Sequence, residues 1–260
     1  MLRAAQGIPP MTDTTQQAAD ILMTVRGGGP QVAGLGAAAP RDEAGAFAIQ
    51  REVLRRLGTR VGGWKCAAPP GKPTSAAMLD ATFLRPGPTR WPVPAGGRIG
   101  IETEIAFRLG RSLPGRGTPY ALEEIKDAIA ACFPVIEMVT SRYVDPAQVS
   151  PLEAMADSIS HAGLVLGAEV PGWRGLDLAR LTVRQTCGGA VQVEQVGGNP
   201  SGDPFTPLLW LANHLPGLGM QLEAGQVVTT GSCTGLITVA GGQRVTGGFA
   251  GFGEVAVELD

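Results

Sequence analysis

The sequence predicts an α+β fold, a small helical portion followed by a β-rich body. Three observations carry this. Glycine and proline are abundant, 38 and 21 of 260 residues, which signals many turns and argues against a helical bundle. Two helical periodicities fall before residue 60. After residue 98 most apolar residues gather in short runs bounded by Gly, Pro and polar residues, the pattern of strands.

Residues 1–13 are expected to form a disordered tail without the apolar core of a secretory signal. Residues 14–60 are expected to form a helical N-terminal subdomain. Thr14 can cap a helix over 14–26, where Ala18, Ile21, Leu22 and Val25 make one stripe, and Gly27-Gly28-Gly29-Pro30 ends it. A second helix over 41–57 turns Ala44, Phe47, Ala48, Leu54 and Leu57 inward. The β-rich domain spans 61–260. Its stretch from Pro69 to Pro94 is proline-rich and expected to be irregular. A strand covers 98–109. Thr118 and Pro119 open a helix at 119–132, which Pro134 stops before a strand carrying Glu137. Ser150-Pro151-Leu152-Glu153 has a capping-box pattern. Strands are expected at 163–170, 227–230, 237–240, 244–246 and 254–259, a Gly188-Gly189 hairpin joins 182–187 to 190–196, and a helix begins at Thr206.

Composition excludes several classes. The formal net charge is -2 and no basic tract occurs, so nucleic acid is not an expected partner. No apolar run is long enough to span a membrane. Cys66, Cys132, Cys187 and Cys233 show no CxxC spacing, which fits a reduced, cytoplasmic setting rather than a zinc or disulfide framework. His161 and His214 are the chain's histidines. They rule out multi-histidine metal sites, and each reads as a packed or structural residue.

Chemistry concentrates in three glutamates. Alternate residues of a strand share a face. Ile99, Ile101, Ile105, Phe107 and Leu109 therefore point one way, and Glu102 and Glu104 together point the other. Either that second face is solvated, or a divalent cation such as Mg²⁺ or Mn²⁺ relieves the repulsion between the two charges. Glu137 lies within Val135-Ile-Glu-Met-Val139, where a carboxylate needs a ligated ion or an arginine partner.

Several segments resemble the bacterial 2-keto-4-pentenoate hydratase and 4-oxalocrotonate decarboxylase group of the fumarylacetoacetate hydrolase superfamily. They are Ile101-Glu-Thr-Glu-Ile-Ala-Phe107, Val135-Ile-Glu-Met-Val-Thr-Ser-Arg142, Ala156-Asp157-Ser158 and Leu166-Gly167. Gly62-Gly-Trp-Lys65, Pro207-Leu-Leu-Trp-Leu-Ala-Asn213 and Leu222-Glu-Ala-Gly-Gln-Val-Val-Thr-Thr-Gly-Ser232 extend the likeness over most of the chain. The resemblance implies a mixed β-sandwich or roll with a helical N-terminal portion, commonly self-associating into a homo-oligomer. It also implies that Glu102, Glu104 and Glu137 are the metal ligands. The expected substrate is a small 2-oxo acid. Hydration of a 2-hydroxydienoate in aromatic catabolism leads. Decarboxylation of a 2-oxo-3-enedioate, or a non-catalytic homologue that binds a partner enzyme, stand as alternatives.

The same likeness suggests roles. Lys65 would orient substrate or shuttle a proton, with a lowered pKa suited to it. Asp80 would be a second acid/base group, although Pro69–Thr74 departs from the family pattern there. Asp157 and Ser160 fall in the catalytic segment, where Ser158 replaces the usual Asn. Gly231, Ser232 and Arg142 would bind the substrate. Hydrolases of the superfamily that cleave C–C bonds carry a histidine before the metal glutamates. This chain has none there, which argues against that reaction.

Overall fold

The structure is a computed structural model that describes residues 12–93 and 96–260. Residues 1–11 of the expected tail lie outside the described residues. Helix α1 spans Asp13–Arg26 and helix α2 spans Glu43–Arg56. α1 starts earlier than Thr14 because the Thr12 hydroxyl accepts the Thr15 N–H at 3.2 Å and serves as the cap. α2 stops at Arg56, so Leu57, expected inward, is 37% exposed. Ala18, Ala19 and Leu22 pack with Ala46, Phe47 and Ile49 in one apolar cluster. That cluster continues through Trp64, Met78, Ile105 and Phe107 into the β body.

The strands follow as β1 (Val61–Ala67), β2 (Ser75–Asp80), β3 (Leu84–Pro86), β4 (Thr89–Trp91) and β5 (Arg98–Leu109). After α3 (Leu122–Ala128) come β6 (Ile129–Val139), α4 (Pro151–Ala156), β7 (His161–Leu166), β8 (Thr182–Cys187) and β9 (Ala190–Val196). After α5 (Phe205–His214) come β10 (Val227–Thr229), β11 (Ile237–Ala240), β12 (Arg244–Phe249) and β13 (Gly253–Leu259). Among the described residues, one sheet has the order β2-β1-β10-β5-β6-β7-β3, with β11 also paired to β5. The other runs β4-β13-β12-β8-β9. Both are mixed: β1 with β10, β3 with β7 and β4 with β13 are parallel pairs. The sheets meet through Ile101, Ile136 and Met138 on one side and Val245, Val255 and Val257 on the other, all fully buried or nearly so. Each such side chain contributes about 1.5–3 kcal/mol of burial free energy. The expected α+β sandwich with N-terminal helices is the fold observed.

Two expectations fail for one reason, pairing partners that local pattern does not show. The Pro69–Pro94 stretch is irregular only in part. Ser75–Asp80 pairs antiparallel with β1, and Ala76, Ala77 and Leu79 are fully buried there. The helix expected over 119–132 ends at Ala128, because Ile129–Phe133 pairs with Ala106–Leu109 instead. Pro134 therefore sits inside β6, opposite Ile105, rather than stopping a helix.

Gly63 fixes the placement of β1. A Cβ there would lie 1.9 Å from the Val227 carbonyl oxygen, so only glycine lets β1 run this close to β10. That approach sets Lys65 beside Thr229.

Candidate metal centre

β5 and β6 pair so that Glu102 faces Glu137 across the ladder, with Glu104 two residues along β5 on the same face. Like charges in directly opposed positions destabilise a sheet, and here burial compounds it. Glu104 is 2% exposed and Glu137 fully buried. One carboxylate oxygen from each of the three residues lies within 4.8 Å of the others. Three hard oxygen donors in that space suit Mg²⁺ or Mn²⁺.

The remaining contacts orient these carboxylates. Lys65 Nζ donates to Glu137 Oε1 at 2.7 Å, and His161 Nδ1 meets the same oxygen at 2.9 Å. Glu137 Oε2 is buried and has no protein partner, which leaves its lone pairs for a cation. The Gly231 N–H donates to Glu104 Oε2 at 3.0 Å. Gly231 has φ 106°, a conformation that favours glycine. The residues present therefore fit a divalent ion.

Electrostatics agree. Burial drives the Glu104 carboxyl well above the ordinary carboxylate range, and the charges of Glu137 and Glu102 push it further. Burial also raises Glu102, against the pull of Lys65. Glu137 is held down to about 2: burial would raise it, but Lys65 and His161 outweigh burial. Burial alone would lower Lys65, yet the three glutamates keep its ammonium above its usual value. The lowered value expected for Lys65 is thus reversed in the ion-free protein. Burial lowers His161, against the pull of Glu137 beside it.

A cavity of about 220 Å³ opens beside the carboxylates. Lys65, Glu102, Glu104, Gly231 and Ser232 line it with Cys66, Ala67, Ser75, Ile159, Pro200 and Thr229. The hydroxyls of Ser232 and Thr229 are buried without protein partners.

Not every expected residue reaches this cavity. Asp80 caps the turn after β2: its Oδ1 accepts from Thr59 Oγ1 and from the N–H and hydroxyl of Thr82. Arg142 is 4% exposed and spends its guanidinium on Asp157 and on the His161 carbonyl. Neither it nor Asp157 lines the cavity, and Asp157, expected near the lysine, holds Arg142 instead. Ser160 does not line it either; it belongs to a turn in which Ser158, Ile159 and Ser160 have φ of 52°, 50° and 60°. Left-handed backbone costs about 1–2 kcal/mol for each such L-residue. Gly231 gives its N–H to Glu104 rather than offering it to a substrate.

Sequence reasoning missed His161, the Ile159 carbonyl and Thr229. A signal existed for Thr229, which stands between Val228 and the recognised Gly231-Ser232 pair. The other two depend on a turn that nothing local in Ser158-Ile159-Ser160 encodes.

Comparison with known proteins matches this architecture. The chain is 29% identical over 210 residues to the 2-oxo-hept-4-ene-1,7-dioate hydratase of Escherichia coli, covering 73% of this chain and 76% of that protein. It is 28% identical over 237 residues to the 4-oxalocrotonate decarboxylase of Pseudomonas putida, covering 83% and 85%. The match to the 2-hydroxyhexa-2,4-dienoate hydratase of Comamonas testosteroni, 29% over 158 residues, covers 61% of this chain and 59% of that relative. The 4-oxalocrotonate decarboxylase from Pseudomonas putida G7, solved with calcium and acetate, superposes with a TM-score of 0.82 at 24% identity over 96% of this chain and 98% of that one. Residues 59–259 match the fumarylacetoacetate (FAA) hydrolase C-terminal family, and with most of its length so matched the chain belongs to the fumarylacetoacetate hydrolase family.

Proposed function

We propose that the protein is a divalent-metal-dependent hydro-lyase that adds water to a short 2-hydroxydienoate such as the dienol of 2-keto-4-pentenoate. The carrying observation is the convergence of Glu102, Glu104 and Glu137 beside a cavity that presents one lysine. The superposing decarboxylase was solved with calcium, which supports a divalent ion in this fold.

The three glutamates would hold the ion, Mg²⁺ or Mn²⁺. Its chemistry there is Lewis acidity toward a chelating 2-oxo carboxylate. The chain supplies the rest. Lys65, held between Glu137 and the Ile159 carbonyl, faces the cavity and stands where it can orient the substrate carboxylate or carry a proton to carbon. Thr229 and Ser232 offer unpaired hydroxyls to the substrate or the attacking water. Once the dienol becomes the ketone, the conjugated double bond is electrophilic, water adds to it, and a proton reaches carbon.

The cavity's charge favours a monoacid. Among the described residues that line it, Lys65 is the one cation, and Glu137 already engages it. A second substrate carboxylate would find hydroxyls there but no second cation. Decarboxylation of a diacid is the second reading, supported by the decarboxylase relatives. Purified protein with Mg²⁺ should deplete the absorbance of 2-hydroxypenta-2,4-dienoate without releasing CO₂. Preferential turnover of 2-oxohex-3-enedioate with CO₂ release would replace hydration by decarboxylation. Turnover of neither would overturn the lyase assignment.

A further inference from the structure

We infer that Arg142 is a positioning residue that clamps the left-handed Ser158–Ser160 turn and so sets the Ile159 carbonyl against Lys65. The turn has three consecutive L-residues in left-handed backbone and no glycine. Its internal bonds are few: Ser160 N–H to the Asp157 carbonyl at 3.1 Å, and the His161 N–H to the Ser158 carbonyl. Something outside the turn must impose the conformation.

Arg142 does so at both ends. Its Nη2 donates to the Asp157 carbonyl at 2.6 Å, just before the turn, and its Nη1 to the His161 carbonyl at 3.1 Å, just after it. Its Nε and its backbone N–H take the two Asp157 carboxylate oxygens. The planar guanidinium spans the turn as a lysine cannot. Arg26, at the last turn of α1, adds a second cation 3.9 Å from Asp157. The clamped turn delivers two groups. The Ile159 carbonyl accepts Lys65 Nζ at 3.2 Å, and His161 reaches Glu137. Without the first, Lys65 keeps one tether and its ammonium is free to swing.

The consequence for turnover rests on the lyase reading; the placement of Lys65 does not. The experiment therefore reads both. Arg142→Lys should fold, as judged by circular dichroism, and should keep Mn²⁺ affinity within about threefold while kcat falls about tenfold and KM moves little. Acetic anhydride labelling, followed by mass spectrometry, should modify Lys65 about fivefold faster relative to Lys126 than in the parent, since opening is local. Adding Ser158→Gly, which removes one left-handed penalty, should restore part of the Lys65 protection and part of kcat. If Arg142→Lys does not fold, Asp157→Asn loosens the same clamp and is read the same way. Unchanged Lys65 labelling in the folded variant overturns the clamp. So does a glycine that raises the melting temperature without restoring protection. A parent with no lyase activity sinks the lyase reading alone, because the labelling ratio still decides the clamp.

Discussion

Glu102, Glu104 and Glu137 share a space but not an ionisation. Burial raises the first two above the usual carboxyl value of 4.5, while Lys65 and His161 hold Glu137 at about 2. The two effects have opposite signs in stability. For the raised pair, the contribution to the ion-free fold is fully present below their unfolded value and disappears as pH climbs through their folded values. For Glu137 it is present above its unfolded value and fades as pH falls toward 2. The ion-free protein should therefore melt at lower temperature as pH rises through the range in which Glu102 and Glu104 ionise, and Mg²⁺ should reverse the trend. Thermal melts across pH in EDTA and in Mg²⁺ test this; curves insensitive to the ion would remove the metal assignment. Glu137→Gln should weaken Mn²⁺ binding by more than about tenfold by calorimetry, since it neutralises one buried donor. Lys65→Met should retain the ion yet lose turnover by about 10²-fold or more. Glu102 and Glu104 were legible because alternation in a strand is strict. His161 was not, since its meeting with Glu137 depends on the turn that precedes β7.

At the scale of elements, short signals with reciprocal bonds proved readable. α4 begins at the expected capping box: the Ser150 hydroxyl accepts the Glu153 N–H, and Glu153 Oε2 accepts the Ser150 N–H. Its other oxygen takes the Leu35 N–H at 2.8 Å and so ties α4 to the N-terminal loop. Glu153→Ala should cost about 1–2 kcal/mol in urea unfolding, more than an isolated cap, because it frees two backbone N–H groups and the Ser150 hydroxyl. An effect confined to a few tenths would mean the loop holds without it. Residues 129–133 were misread because their alanines favour a helix locally, and the β2 segment because prolines flank it. Their strand state comes from pairing with β1 and β5.

At the scale of the molecule, the centre draws on β1, β5, β6 and β10 and on the turn before β7, so it exists only when the whole sheet has formed. Gly63→Ala tests that dependence without altering any charge. Its Cβ would overlap the Val227 carbonyl, so β1 and β10 must separate, with an expected loss of about 3 kcal/mol or more and displaced Lys65. Unchanged stability and turnover would show that β1 is not held by that contact. The register of β5 against β6 has a last consequence. A slip by a single residue would turn Glu102 and Glu104 toward Val245 and Val257 in the dry space between the sheets. Misaligned chains would thus entomb bare charge, so the glutamates proposed to hold the ion also proofread the assembly of their own sheet.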